Sequence, residues 1–280
     1  MVDAGKAPWG LALCGGGACG YANIGVLEAL YQSGMRPDCI AGSSMGAVIA
    51  GLSALGHSPS TIRRVARSLG PLDVAKLSTR PLRKGLHGGL LEQRFSHLEP
   101  LIGGARIGDC EIPFVCVAGR VREPIRWERL LLPGFVDDLR ENVTLHVFGP
   151  DVRMLDALRA STAVPVVFSP VVIGGEQFID LVHFGAVPAR SLREAHDPSV
   201  VVASYTQPRF DQIEVWLPDP IRTFLAAGLE ETHRDLRASD VTIRPDLPAS
   251  MLRFDLAIEF AAAGHAATSA RLPELKALLR

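Results

Sequence analysis

The stretch Trp9-Gly-Leu-Ala-Leu-Cys14-Gly-Gly-Gly-Ala-Cys-Gly20 decides the fold, because an apolar run leads directly into a glycine turn. The run from Trp9 to Cys14 is short and apolar throughout, which is typical of a strand buried on both faces of a parallel sheet. Residues 22–33 follow with apolar side chains at helical spacing and end at Gly34. We therefore predict a strand, a glycine turn and a helix.

A second unit of the same kind comes next. Cys39-Ile-Ala41 predicts a strand, Gly42-Ser-Ser-Met-Gly46 a tight turn, and residues 47–55 a helix. Alternation of strands and helices implies an α/β fold with a mainly parallel sheet and right-handed crossovers. Further strands are predicted over 113–118, 178–180, 199–205 and 241–244, and residues 125–131 are predicted to pair with 113–118 as a β-ribbon. A loop is predicted over 78–89. Helices are predicted over 59–69, 90–101, 152–159, 221–238, 254–268 and 273–280.

Composition and charge exclude several classes of protein. A net charge of -1 gives no general attraction to nucleic acid. The five cysteines form no CxxC pair and no zinc-ligand spacing, so we expect neither a disulfide framework nor a metal site. Residues 1–9 lack the basic and apolar regions of a signal peptide, and no apolar run approaches about 20 residues. We expect one domain over residues 1–280 in the cytoplasm; peripheral membrane contact and the oligomeric state stay open.

The first glycine turn, residues 15–20, has two competing interpretations. It satisfies G-x-G-x-x-G, the dinucleotide fingerprint, which also requires an acidic residue at the end of the second strand. The nearest acid, Asp38, precedes that strand, so the acid lies at the wrong end. Glycines before a helix also leave backbone N–H groups free to stabilise an oxyanion. We favour the oxyanion loop, with close packing of strand and helix as its structural alternative.

The second turn fits the nucleophile elbow, in which a sharp strand-to-helix turn exposes a serine above the sheet. Its pattern is Gly42-x-Ser44-x-Gly46, with small residues where neighbouring backbones come close. Both turns follow adjacent parallel strands, and active sites lie at that edge of such sheets. Ser44 is therefore the predicted nucleophile. Its base is not evident, since none of the eight histidines lies in a recognisable triad loop.

Taken together, the motifs resemble those of bacterial patatin-like phospholipases. Besides the two glycine turns, the similarity rests on 112–118, on the A-S-x-A-x-P segment of 159–165, on Phe178-Ile-Asp180 with Pro188 eight residues later, and on 238–246 and 264–265. It extends over about residues 10–270. The resemblance implies a three-layer patatin-like fold with helices on both sides of the sheet.

The resemblance also implies a Ser–Asp dyad in place of a triad. Ser44 would attack an ester carbonyl and Asp180 would accept its proton, without a metal or cofactor. The implied substrates are lipid esters, as for a phospholipase A, a lysophospholipase or a carboxylesterase. The implied oxyanion hole consists of the backbone amides of Gly15, Gly16, Gly17 and Ala18.

Three positions depart from the family pattern. Cys19 replaces a basic residue, Leu181 replaces the glycine after the aspartate, and Val166 replaces a glycine after the A-S-x-A-x-P proline. If that glycine adopts a positive φ, Leu181 would force a different backbone. These changes leave the alternative of a catalytically weak or inactive member that binds acyl lipids or a protein partner. Acyl transfer to another acceptor is a further alternative, because it would use the same acyl-enzyme. His183 is an alternative base.

Overall fold

The computed structural model describes residues 8–68, 75–77, 91–93, 95–123, 132, 134–165, 167–181, 186–207, 231–247 and 253–279. The predicted loop over 78–89, the predicted ribbon strand over 125–131, Val166 and His183 lie outside these residues. So does most of the predicted helix 221–238, of which residues 231–236 are helical.

Strands and helices alternate over residues 9–54 and follow one another in a less regular order after that. The elements are β1 (Trp9–Leu13), α1 (Ala22–Gln32), β2 (Cys39–Ser43), α2 (Met45–Ala54), α3 (Pro59–Ser68), β3 (Ala75–Leu77), β4 (Leu91–Gln93), α4 (Glu99–Ile102), β5 (Phe114–Val121), α5 (Phe135–Asn142), β6 (Val143–Val147), α6 (Met154–Ser161), β7 (Val171–Ile173), β8 (Glu176–Ile179), α7 (Ala189–His196), β9 (Val200–Ser204), β10 (Val241–Ile243) and α8 (Ala257–Leu278). A 3₁₀ turn, Gly17–Tyr21, connects the first glycine loop to α1.

The central sheet has the order β10-β9-β1-β2-β5-β8-β7, with β6 also paired to β5. Strands β10, β9, β1, β2 and β5 are parallel. Strands β6 and β8 run antiparallel to β5, and β7 runs antiparallel to β8. The mainly parallel sheet is the one that the strand–helix alternation predicts.

Side chains of the parallel strands alternate between two apolar layers, as period-two geometry requires. In β1, Leu11 and Leu13 join a large cluster with the apolar residues of α1, α2, α6 and α8. Ala12 and Cys14 join a second cluster on the opposite face, together with Leu192 of α7. Helices therefore cover both faces, which confirms the three-layer α/β architecture.

The predicted helix over 90–101 differs from the observed elements. Residues 90–101 do not form one amphipathic helix: Leu91–Gln93 pairs with Ala75–Leu77 as an antiparallel strand, and a short helix begins only at Glu99. Pairing with a partner strand outweighs a weak local helical preference.

The C-terminal prediction of two helices is also wrong, because α8 continues through Pro273. A proline inside a helix costs about 3 kcal/mol. Leu275 and Leu279, beyond the proline, are buried in the large cluster, and burial of two leucines returns a similar amount. In the described part of the chain, no helix combines the length and apolar character needed to cross a membrane.

Candidate active site

Ser44 lies at the junction between β2 and α2 in a strained backbone conformation. Its φ is 53° and its ψ is -129°, values that a residue with a side chain adopts at a cost of about 1–3 kcal/mol. The flanking glycines are needed for close packing. A Cβ on Gly46 would lie 2.3 Å from the Leu13 carbonyl oxygen, and one on Gly42 would lie 2.4 Å from Cα of Ala47. This geometry is that of a nucleophile elbow.

Strand register brings Asp180 to the same place. Strand β2 pairs with 114–117 of β5 and β6 pairs with 117–121, so the two share Val117 and lie on opposite edges of β5. Strand β8 pairs with 119–121, and β6 pairs with the same residues, so β8 and β6 lie on opposite edges of β5. Strand β8 therefore lies on the same edge as β2. The C-terminal ends of β2 and β8 therefore point toward each other along one edge of β5.

On that edge, the ends of the two strands are separated by a single residue of β5, Ala118. Ser43 is opposite Val117 and Ile179 is opposite Gly119. Ser44 and Asp180, the next residue in each case, both reach the level of Ala118 between them. Asp180 is 1% exposed and Ser44 6% exposed. The structure thus brings together a buried carboxylate and a buried serine from segments 136 positions apart in the sequence (180 − 44).

One short segment at the C-terminal end of α6 holds both residues through hydrogen bonds. Ser161 Oγ accepts the backbone N–H of Ser44 at 2.9 Å. Two residues on, the Ala163 carbonyl oxygen accepts the backbone N–H of Asp180 at 3.0 Å. Because Ser161 and Ala163 are both fully buried, this segment fixes the relative positions of the two backbones.

The first glycine loop packs directly against the elbow. A Cβ on Gly15 would lie 2.8 Å from Cβ of Ser44. The expectation that the Gly15 amide faces an oxyanion is wrong, because that N–H is donated to the Ala186 carbonyl oxygen at 3.1 Å.

The next three amides, of Gly16, Gly17 and Ala18, differ from that of Gly15. No acceptor for their N–H groups occurs among the described residues. They precede or begin the 3₁₀ turn, and Gly16 (φ 135°) and Gly17 (φ 56°) have positive φ values that favour glycine. Free amides at the start of a helical turn can bind an anion.

Side chains from two other segments hold the carbonyl groups of Cys14 and Gly15, where β1 leads into the glycine loop. Asn23 Nδ2 donates to the Cys14 carbonyl oxygen at 2.9 Å. Thr206 Oγ1, just beyond β9, lies 2.6 Å from the Gly15 carbonyl oxygen and 3.2 Å from that of Cys14. These hydrogen bonds fix the backbone at the start of the loop, directly before the three amides.

The two departures from the family pattern that the structure describes are accommodated without strain. Cys19 is fully buried in the large apolar cluster, where it packs as a small apolar side chain. Leu181 is fully buried in the second cluster beside Ala186 and Val187. Its φ is not positive, so a side chain directly after Asp180 costs no backbone strain.

An apolar pocket opens beside Ser44, with a cavity volume of about 140 Å³. Gly17 of the glycine loop and Ser44 both line it, so the loop and the serine face the same space. Its walls are mostly apolar side chains of α1, α2 and α3, together with Phe95, Leu98, Val164, Phe168 and Phe254.

The buried cysteines of the sheet are not reactive nucleophiles. Burial raises the pKa of Cys14 to about 11 and that of Cys116 to about 12, so both thiols stay protonated at neutral pH. Asp180 is close enough to Cys14 to contribute to the first shift. Within the described residues, no group of three or more potential metal-ligating side chains is found.

Sequence reasoning missed Ser161, Thr206 and Asn23 as parts of the site. Ser161 lies 117 positions from the Ser44 amide that it binds, and Thr206 lies 191 positions from Gly15. Such contacts leave no local pattern. The A-S-x-A-x-P motif marked the Ser161 segment without indicating what its serine does.

Known proteins resemble this chain in sequence and in fold. Residues 11–191 match the family of patatin-like phospholipases. An uncharacterized NTE family protein of Mycobacterium tuberculosis is 32% identical over 173 residues, which make up 61% of this chain and 41% of that protein. The lysophospholipase nte1 of Emericella nidulans is 51% identical over 45 residues, 16% of this chain and 3% of that protein.

A solved structure, that of VipD from Legionella pneumophila, shares the fold. It has a TM-score of 0.50 at 12% identity, with 96% of this chain and 67% of that chain covered. The sequence matches to curated relatives extend over less than half of their length. The family match, in contrast, extends over well more than half of this chain and confirms the resemblance of the motifs: the protein belongs to the patatin-like phospholipase family.

Proposed function

We propose that the protein is a serine hydrolase of lipid esters, with Ser44 as nucleophile and Asp180 as the base. The observation that carries this proposal is the meeting of β2 and β8 end to end along one edge of β5. It puts an elbow serine and a buried carboxylate at the same level of the sheet. No histidine is needed in this arrangement.

Each part of the site has a role in the proposed reaction. Ser44 Oγ attacks the ester carbonyl carbon, and Asp180 accepts the hydroxyl proton. The C–O bond to the alcohol then breaks, and Asp180 returns the proton to the departing oxygen. Water attacks the resulting acyl-enzyme with Asp180 again as base, which releases the fatty acid and restores Ser44.

The weakness of a carboxylate as base has to be offset elsewhere. An aspartate has an ordinary pKa near 4 and is a poor acceptor for an alcohol proton. Stabilisation of the tetrahedral oxyanion is the largest available contribution, about 3–4 kcal/mol for one preorganised donor. The amides of Gly16, Gly17 and Ala18 are the proposed donors.

The apolar pocket supports a lipid as the acyl donor. Its walls suit an alkyl chain and offer little to a charged or sugar substrate. The name of one relative, lysophospholipase nte1, agrees with a substrate of this class. Release of fatty acid from lysophospholipid is accordingly the proposed reaction.

The test compares ester hydrolysis by the wild type, Ser44→Ala and Asp180→Asn, with p-nitrophenyl decanoate and lysophosphatidylcholine as substrates. We expect both variants to lose kcat by a factor of about 10³ or more. Ser53→Ala is the matched control, because it removes a buried serine hydroxyl from α2 away from the elbow. Equal kcat values in the wild type and either dyad variant, with unchanged melting temperatures, would contradict the dyad.

A further inference from the structure

The pocket beside Ser44 follows a single face of α2. Met45, Val48, Ile49 and Leu52 all line it, at the spacing that repeats on one side of a helix. Leu52 is eight residues beyond Ser44, and at 1.5 Å per residue this is about 12 Å along the helix axis. The lining therefore forms an elongated channel that begins at the serine.

The far end of the channel is where the chain reverses between α2 and α3. The His57 N–H is donated to the Leu52 carbonyl oxygen at 3.1 Å. Helix α3 starts two residues later, and its Ile62 lines the same pocket. Leu52 and Ile62 are 2% and 3% exposed, so the described residues at this end are closed off from solvent.

Two polar side chains in the lining, those of Gln93 and Thr162, are joined by a hydrogen bond. Gln93 Nε2 donates to Thr162 Oγ1 at 3.0 Å and to the Arg159 carbonyl oxygen at 3.0 Å. Thr162 Oγ1 in turn donates to the Leu158 carbonyl oxygen at 2.8 Å. Because Gln93 and Thr162 satisfy each other, this part of the wall does not require a polar ligand.

We propose that this channel binds one acyl chain of about ten carbons, with Leu52 and Ile62 setting the longest chain that fits. The inference rests on the proposed function, since the chain is that of the acyl group bound to Ser44. An extended chain of single bonds advances about 1.2 Å per bond, so about 12 Å holds roughly ten bonds.

Chain length should therefore change affinity in two stages. Each methylene that enters the channel contributes about 0.8 kcal/mol, which is about a fourfold gain in affinity. Beyond about ten carbons the gain reverses, because an acyl group anchored at Ser44 cannot extend past the closed end of the channel. Medium-chain acyl groups are thus preferred over both shorter and longer ones.

The test measures binding and hydrolysis separately. Binding of butyrate, octanoate, decanoate, laurate and palmitate is measured in the Ser44→Ala background by displacement of a fluorescent fatty acid. Hydrolysis of the matching p-nitrophenyl esters is measured with Ser44 intact. In each background, Leu52→Ala lengthens the channel and Leu52→Phe shortens it.

We expect Leu52→Ala to move the preferred chain length upward and Leu52→Phe to move it downward, in both measurements. Leu27→Ala is the matched control: Leu27 is fully buried in the same cluster but does not line the pocket, so its loss destabilises the fold without moving the optimum. Should Leu52→Phe fail to fold, Ile62→Ala provides the second variant, with an upward shift.

The outcomes separate this inference from the proposed function. Hydrolysis with the same chain-length optimum in the wild type and all Leu52 and Ile62 variants overturns the channel and leaves the hydrolase proposal in place. A shifted optimum for fatty-acid binding without any hydrolysis supports the channel and overturns the hydrolase proposal. An optimum that shifts equally in Leu27→Ala also overturns the assignment of Leu52.

Discussion

At the scale of single residues, the geometry of the site depends on how a strained serine is held in place. Ser44 has φ 53°, and its buried N–H finds its acceptor in Ser161 Oγ. A buried N–H without an acceptor costs about 1–3 kcal/mol. Ser161 is thus a positioning residue: it fixes the elbow backbone without contacting a substrate.

Ser161→Ala should lower both stability and turnover. The variant leaves the Ser44 N–H unsatisfied, and we expect unfolding free energy to fall by about 1–3 kcal/mol. We expect kcat to fall by more than about tenfold, because a displaced nucleophile loses its alignment with the ester. Urea unfolding and hydrolysis of p-nitrophenyl decanoate provide the two measurements.

The control for this variant is again Ser53→Ala. Ser53 Oγ is 2.8 Å from the Tyr31 hydroxyl, so its removal also breaks a hydrogen bond of a buried serine. It should cost stability without lowering kcat. If Ser161→Ala and Ser53→Ala kept the same kcat, the positioning role of Ser161 would be refuted.

At the scale of secondary-structure elements, the close packing of α1 and α8 supports the site from behind. A Cβ on Gly25 would lie 1.7 Å from the Ala261 carbonyl oxygen, and one on Gly264 would lie 1.9 Å from the Ala22 carbonyl oxygen. The two helix backbones are therefore in direct contact at these glycines. Helix α1 carries Asn23, which holds the glycine loop, so its position affects the proposed oxyanion donors.

Gly264→Ala should destabilise the fold although alanine is the better helix former. Helix propensity favours the change by up to about 1 kcal/mol, but the added methyl group overlaps backbone that cannot rotate away. Overpacking of a tight core costs about 1–3 kcal/mol and more when backbone must move. We expect a net loss of about 2 kcal/mol or more, together with a lower kcat, measured by urea unfolding and ester hydrolysis.

Gly104→Ala provides the comparison for that change. A Cβ at Gly104 meets nothing within 4 Å, and its φ is not positive. Its unfolding free energy should stay within about 0.5 kcal/mol of the wild type, as for most surface substitutions. Equal stability of the two alanine variants would argue against the backbone contact between α1 and α8.

At the scale of the whole molecule, the site depends on a sheet whose strand pairing changes from parallel to antiparallel at β5. Parallel strands deliver the glycine loop and Ser44 to one end of the sheet, which is where such folds place active sites. Antiparallel β8 then approaches from the opposite direction and ends at Asp180. Two strand ends meeting on one edge bring Ser44 and Asp180, the proposed nucleophile and base, to the same level of the sheet.

Much of this arrangement could be predicted from local patterns. Apolar runs that end in glycine predicted β1 and β2, and the spacing of Gly42, Ser44 and Gly46 predicted the elbow. Family resemblance was needed to select Asp180, because an isolated Phe-Ile-Asp sequence has no distinguishing chemistry. The strand ending before Asp180 is observed at Glu176–Ile179.

The rest depended on contacts between distant segments. Strand β4 forms because Leu91–Gln93 finds a partner at Ala75–Leu77, whereas the local pattern favoured a helix. The loss of Gly15 as an oxyanion donor depends on the Ala186 carbonyl oxygen, 171 positions away (186 − 15). Neither pairing is visible in the residues that form it, so only the folded chain reveals the partners.

The central claim is that Ser44 is a nucleophile activated by Asp180, and covalent labelling with a fluorophosphonate tests it most directly. The wild type should take up one label per chain, and mass spectrometry of the digested protein should locate it on Ser44. Ser44→Ala should not react, and Asp180→Asn should react at least about 100-fold more slowly, as expected for loss of a general base. A label on another residue, or equal labelling rates in the wild type and Asp180→Asn, would contradict the account.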